Sequence, residues 1–327
     1  MNQVEGTFEM EKQEYEKSEK AENVPENSEP KEDLTINEIT IVDPDTYELD
    51  LNHGRIAKLE NLEPLTQIER LYLRWNLIKK IENLNTLTTL VELELYDNQI
   101  TVIENLDALV NLEILDLSFN RIKRIEGLDN LLKLKRLFLT SNKISKIENL
   151  THLQQLEMLE LGDNKIRHIE NLNGLANLDQ LYLGKNKISE INNLDSLISL
   201  TCLSLQSNRL TEIKNLTNLK NVTQLYLSEN GLTRIENIDN NTSIQTLDLA
   251  KNKILLIENV GHLSDLEEFW LNDNEIADWK SIENLKENKK LQTIYLERNP
   301  IAADPAYRRK LKLLIPWLVQ IDATLCR

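Results

Sequence analysis

Residues able to engage another molecule recur at a fixed interval. Tyr72, Glu94, Asp116, Phe138, Glu160, Tyr182, Ser204, Tyr226, Asp248, Trp270 and Tyr295 fall 22 residues apart until a last step of 25. The chain holds 16 aromatic residues among 327, and six of them stand in these eleven positions beside four acids and no base. Rings supply apolar anchors, and acids supply orientation and choice of partner, so the chemistry of this row is recognition. Catalytic chemistry finds no comparable pattern. His53, His152, His168 and His262 lack metal-ligand spacing, and there is no G-x-S-x-G, C-x-x-C, P-loop or H-E-x-x-H. The expectation is a non-enzyme without cofactor or metal.

The elements that position the row are legible around it. Each member lies between two apolar residues, as in Leu71/Leu73, Leu93/Leu95, Leu115/Leu117 and Phe269/Leu271. An Asn follows at 76, 98, 120, 142, 164, 186, 208, 230, 252 and 274. The unit L-x-x-L-x-L-x-x-N-x-I/L-x-x-I-E-N-L is that of a short leucine-rich repeat. Alternation along a strand sends both leucines to one side and the residue between them to the other. No single repeat can bury its apolar edge, so the repeats must stack. An Asn amide donates and accepts at once, so a column of asparagines can satisfy backbone groups between coils. These asparagines are structural. The pattern predicts an α/β solenoid: a horseshoe of 22-residue repeats with a parallel concave sheet, a short helical or irregular convex side and a C-terminal helical cap. Eleven strands roughly 4.8 Å apart give a face about 48 Å long.

Three regions follow: an acidic, disordered tail at 1–33, a solenoid of about 12 repeats at 34–299, and a cap at 300–327. The tail holds 11 acids and four Lys, few apolar residues, and cannot offset its ordering entropy. In the cap, 304–314 reads as a helix with Asp304 as N-cap and Pro305 in its first turn. The Asn of each I-E-N-L (Asn83, Asn105, Asn149, Asn171) reads as the N-cap of a short helical turn. Trp75 and Phe119 are expected to pack locally, and Trp279 and Trp317 to lie in the core or cap. Rows flanking the central one include Arg70, Glu92, Arg136, Met158, Glu268, Arg74, Tyr96 and Gln206. Gly162 and Gly184 should leave the sheet bare in the middle.

Net charge is −16. An acidic chain lacks the basic stripe of a nucleic-acid binder, and no run of 18 apolar residues suggests a membrane span. Cys202 and Cys326 make no disulfide framework, no apolar leader precedes residue 34, and the sequons at Asn149 and Asn215 are by-products of the repeat. A reducing compartment is expected, the nucleus and cytoplasm.

The residues also carry a likeness. The I-E-N-L signature, the 22-residue spacing, Glu267-Glu268-Phe269-Trp270, Tyr295-Leu296-Glu297-Arg298-Asn299-Pro300 and the ending Gln320-Ile321-Asp322-Ala323-Thr324 resemble the protein phosphatase 1 regulatory subunit 7 family from about Leu34 to Arg327. The resemblance implies a non-catalytic subunit gripping the catalytic subunit of a Ser/Thr phosphatase in its concave arc. It implies a third subunit of the phosphatase inhibitor type and a part in chromosome segregation. The contact residues it implies are Asp116, Phe138, Glu160, Tyr182, Asp248, Glu268, Trp270 and Tyr295, where Tyr182 stands in place of a Phe. The alternative is an adaptor on the same repeat for tubulin or a spliceosomal partner.

Overall fold

The structure is a computed structural model and describes residues 37–326. The tail expected at 1–33 lies outside the described residues. Strands of three residues recur once per repeat: β1 (Glu48–Asp50), β2 (Arg70–Tyr72), β3 (Glu92–Glu94), β4 (Ile114–Asp116), β5 (Arg136–Phe138), β6 (Met158–Glu160), β7 (Gln180–Tyr182), β8 (Cys202–Ser204), β9 (Gln224–Tyr226), β10 (Thr246–Asp248), β11 (Glu268–Trp270) and β12 (Thr293–Tyr295). Two-residue strands β13 (Gln320–Ile321) and β14 (Thr324–Leu325) close the series. One sheet holds all fourteen in chain order, parallel up to β13 and antiparallel between β13 and β14. The sheet is thus longer than the eleven strands expected, extended by one coil before Tyr72 and by the terminal ribbon.

The core is a repeated apolar set. In one coil Leu71, Leu73, Ile78, Ile81, Leu84, Leu87 and Leu90 are all fully buried, and later coils repeat the pattern. Parallel pairing in exact register, for example Leu115↔Leu137 and Asp116↔Phe138, stacks like position on like. Inner leucines therefore meet leucines, and each outward residue faces its counterpart one coil on.

Eleven asparagines tie the coils together. The Asn164 carboxamide accepts from the Ile144 N–H (2.9 Å) and donates to the carbonyls of Leu139 (2.9 Å), Leu161 (3.2 Å) and Gly162 (3.0 Å). The pattern holds from Asn76, which bridges Ile56 and Leu51, to Asn299, which bridges Ile276 and Leu271. The residue before each of these asparagines is left-handed, with φ between 49° and 58° from Trp75 to Arg298. That sharp turn ends the strand after three residues and swings the Asn inward.

The asparagines of I-E-N-L are not N-caps. Asn83, Asn105, Asn149 and Asn171 are left-handed (φ 57° to 60°), and each donates to a carbonyl of the preceding coil: Leu59 (2.6 Å), Ile81, Ile125 and Ile147 (2.7 Å each). No helix follows them. The chain instead makes successive tight turns such as Leu87 N–H to Leu84 O and Leu90 N–H to Leu87 O. With no helical N–H groups to cap, the amide serves the neighbouring coil. Gly127 takes this position once, at φ 67°; a Cβ there would lie 2.4 Å from the Ile103 carbonyl oxygen. The convex side is accordingly built of turns.

The longer last step accommodates a seven-residue 3-10 helix, Trp279–Leu285, with the Asp278 carboxylate accepting from the Lys280 N–H at 2.8 Å. A second short 3-10 segment, Pro300–Ala303, precedes the cap helix α1, Tyr307–Leu314. The helix starts later than 304. Its N-cap is Ala306, and Asp304 instead closes a turn by accepting from the Ala306 N–H at 2.8 Å. Trp279 and Trp317 pack against the core as expected, and the Trp317 indole donates to the Asn288 carbonyl at 2.9 Å.

The Asn bridge predicts a measurable penalty. Asn164→Ala leaves the buried Ile144 N–H and Leu139 carbonyl unpaired and should cost about 2–4 kcal/mol. Urea denaturation of the purified chain reads this as a lower midpoint. A loss under about 0.5 kcal/mol would show that the bridge is not needed.

Candidate functional site

The eight predicted contact residues lie on one face. Asp116, Phe138, Glu160 and Tyr182 end consecutive strands β4 to β7 and stand in register. Asp248, Trp270 and Tyr295 end β10, β11 and β12 in register. Glu268 opens β11 two residues before Trp270, on the same side of the strand. The structure therefore gathers the set into two clusters, separated by Ser204 and Tyr226.

Phe138, Tyr182, Trp270 and Tyr295 are all half-buried. Toward the C-terminal end they touch: Tyr226 and Trp270 lie 6.3 Å apart, and Trp270 meets Tyr295 edge-on at 6.1 Å. The Tyr295 hydroxyl accepts from the Gln320 carboxamide at 2.8 Å, which ties the row to the terminal ribbon. The Tyr182 hydroxyl donates to Gln180 Oε1 at 3.1 Å and adjoins Cys202 on β8. Burial holds the Tyr182 phenol above its ordinary range and pushes the Cys202 thiol up to about 11. Both therefore stay protonated at neutral pH.

The acids divide by environment. Asp116 and Asp248 do not stand in solvent: they are 8% and 6% exposed. Each short carboxylate folds back on the turn that follows its strand. Asp116 accepts from the Ser118 N–H (2.8 Å), and Asp248 from the Ala250 N–H (2.9 Å) and the Ser228 hydroxyl (2.5 Å). Burial raises the pKa of both, and those hydrogen bonds offset part of the rise. Glu160 and Glu268 are half-buried, like the rings. Glu94 is neutralised from the adjoining row, where Arg74 grips it bidentately at 2.5 and 2.7 Å. The row lacks a base, but the face does not.

The middle of the sheet is only partly bare. A Cβ added at Gly162 would meet nothing closer than 3.6 Å, whereas one at Gly184 would lie 2.8 Å from the Gln206 carboxamide. Gln206 thus covers Gly184, held there by the Ser204 hydroxyl.

A second aromatic feature was missed. Trp75 and Phe119 do pack locally, but as part of a surface stack of four rings. His53 lies flat on Trp75 (4.4 Å, 7°), Trp75 meets Tyr96 edge-on (5.5 Å), and Tyr96 meets Phe119 (4.8 Å). The Arg74 guanidinium sits 5.8 Å from the Tyr96 centroid. The 22-residue spacing of His53 and Trp75 was visible in the sequence. Tyr96 stands one residue out of that column, so counting columns alone hid the stack.

The in-register parallel sheet, the Asn bridges and the 22-residue coil define a leucine-rich-repeat protein, and this chain is one. Models of the family match it: "Leucine-rich repeat" over residues 139–237 and "Leucine Rich repeats (2 copies)" over 88–130 and 110–152. Among solved structures it is similar to an internalin from Listeria monocytogenes (26% identical, 86% of this chain and 87% of that one, TM-score 0.69). It is also similar to a leucine-rich-repeat protein of Leptospira interrogans (25%, 80% and 74%, TM-score 0.66).

The chain also resembles protein phosphatase 1 regulatory subunit 7. It is 53% identical over 49 residues to the protein of that name from Danio rerio and 53% identical over 52 residues to that from Homo sapiens. Those stretches are 15% and 16% of this chain and span 14% of each relative's length, far less than the Leu34–Arg327 range over which the motifs were read.

The buried acids predict a pH signature. A carboxylate with a raised folded pKa weakens folding as pH climbs from its unfolded value through its folded one, and the penalty is complete above that. Asp116→Asn keeps an oxygen for the Ser118 N–H and removes the charge. The variant should gain on the parent between pH 4 and pH 7 in chemical denaturation. A difference that is constant or shrinks over that range would contradict the burial argument.

Proposed function

We propose that the chain is a non-catalytic regulatory subunit that binds the catalytic subunit of a protein phosphatase 1 enzyme on its concave face, controlling its activity, maturation or localisation. The observation that carries this reading is the row itself: half-buried rings and long acids in exact register on a rigid sheet. The partial match to proteins named as phosphatase 1 regulatory subunits supports the choice of partner. The leucine interior makes none of these rings necessary for the core. Such a row of rings, each left partly open to solvent, is a liability unless covered.

In this reading Phe138, Tyr182, Trp270 and Tyr295 are the anchors, and Glu160 and Glu268 select a basic rim on the partner. Asp116 and Asp248 act differently. Being buried and bonded to the turns after their strands, they set the shape and negative potential of the floor and do not reach out to the partner. Trp270 and Tyr295, already packed on each other, lose little freedom on binding, which favours tight association. A third subunit of the phosphatase inhibitor type would join the complex in the nucleus and cytoplasm.

Trp270→Ala and Tyr295→Ala should each weaken the complex with the phosphatase catalytic subunit at least tenfold, because central aromatic anchors contribute on the order of 2 kcal/mol. Titration calorimetry reads the affinity, and circular dichroism checks that the repeat fold survives. Unchanged affinity in the folded double variant would remove the concave face from the interface. Glu160→Lys should slow association and weaken its salt dependence; surface plasmon resonance at several salt concentrations measures both, and identical rates would exclude that acid.

A further inference from the structure

One column of the solenoid runs against the charge of the whole. The residue immediately after the bridging Asn is Arg121, Lys143, Lys165, Lys187 and Arg209 in five consecutive coils. Two residues further, Lys123 and Arg167 project from the same side, because the Ile between each pair turns into the core. No acid occupies either position from residue 55 to 255. Four of the five column residues are exposed, and Lys187 is half-buried.

These five cations are unpaired and stacked. Among the described residues, no ion pair or side-chain hydrogen bond engages Arg121, Lys143, Lys165, Lys187 or Arg209, whereas Arg124 is paired with Glu148 and Arg234 with Glu258. The nearest acid in the preceding column, Asp163, accepts from the Ser141 hydroxyl at 2.9 Å. Like charges stacked at strand spacing repel one another. Five in succession span about 19 Å at roughly 4.8 Å per step.

We propose that this column is a docking track for an extended acidic peptide segment of a partner protein. The dimensions fit: about six residues of extended chain, at roughly 3.3 Å each, cover the same length. The surroundings disfavour nucleic acid. From 121 to 211 these two positions carry no aromatic on which a base could stack. The track is also narrow, because the I-E-N-L acids Glu126, Glu148 and Glu170 run beside it a few residues along each coil. A duplex would overlap that acid column; a single extended chain need not. The track lies beyond the turn that ends each strand and off the ring-bearing row, so an acidic segment and a concave-face partner can bind at once. The inference stands without the phosphatase reading.

The test uses a fluorescently labelled ten-residue poly-glutamate peptide and the full chain, read by anisotropy at low and physiological salt. The K143E/K165E/K187E variant should bind at least tenfold more weakly than the parent. A control variant, K220E/K280E/R309E, makes the same change in net charge at exposed bases outside the track and should bind within about threefold of the parent. If the triple reversal disturbs the fold by circular dichroism, K143Q/K165Q/K187Q replaces it, with the same direction expected. Absence of peptide binding by the parent at low salt would overturn the proposal. So would equal losses in track and control variants, or equally tight binding of a ten-nucleotide oligothymidylate.

Discussion

The hydrogen bonds of the bridging asparagines are what the rest of the structure depends on. Strands three residues long cannot satisfy the backbone that leaves them, and that backbone is buried between coils. Each Asn side chain supplies the missing partners, accepting from an N–H of the coil before and donating to its carbonyls. The left-handed residue that precedes it is the geometric cost, repeated from Trp75 to Arg298. Because the same bridge recurs at a constant interval, the sheet stays in register, and whatever stands between the two leucines is presented at constant spacing.

This arrangement separates stability from recognition. Leucines and isoleucines fill the interior, and asparagines in two columns satisfy the backbone between coils. The outward row is thereby free to vary: large rings stand at 72, 138, 182, 226, 270 and 295, short acids at 116 and 248, and long acids at 94 and 160. Asp116 and Asp248 fold back onto the turns that follow their strands, and Arg74 holds Glu94, whereas Glu160 and Glu268 stay partly open to solvent.

Much of this was legible in the sequence because the repeat converts position into direction. The Leu71/Leu73 alternation and the Asn spacing fixed which residues face inward, and the eight site residues fell on one face as expected. The failures share a cause: local propensity was read without the neighbouring coil. Asn83 and its counterparts looked like N-caps, but the competing acceptor was a carbonyl 24 residues earlier. Asp304 looked like a cap for the final helix, but a short 3-10 segment held the chain back. The burial of Asp116 and the cover that Gln206 gives Gly184 depend on packing that no pattern encodes. A net charge of −16 also hid the basic column, because charge counted along the chain averages over faces that the coil keeps apart.

The central claim is that the inner curve is the gripping surface. Hydroxyl-radical footprinting read by mass spectrometry, with and without the phosphatase catalytic subunit, tests it on the native chain. Phe138, Tyr182, Trp270 and Tyr295 should lose oxidation in the complex, while Trp279 and Trp317 at the packed end keep theirs. Unchanged labelling of the four row residues in a mixture where the phosphatase is bound, with protection moved to the convex turns, would contradict the account.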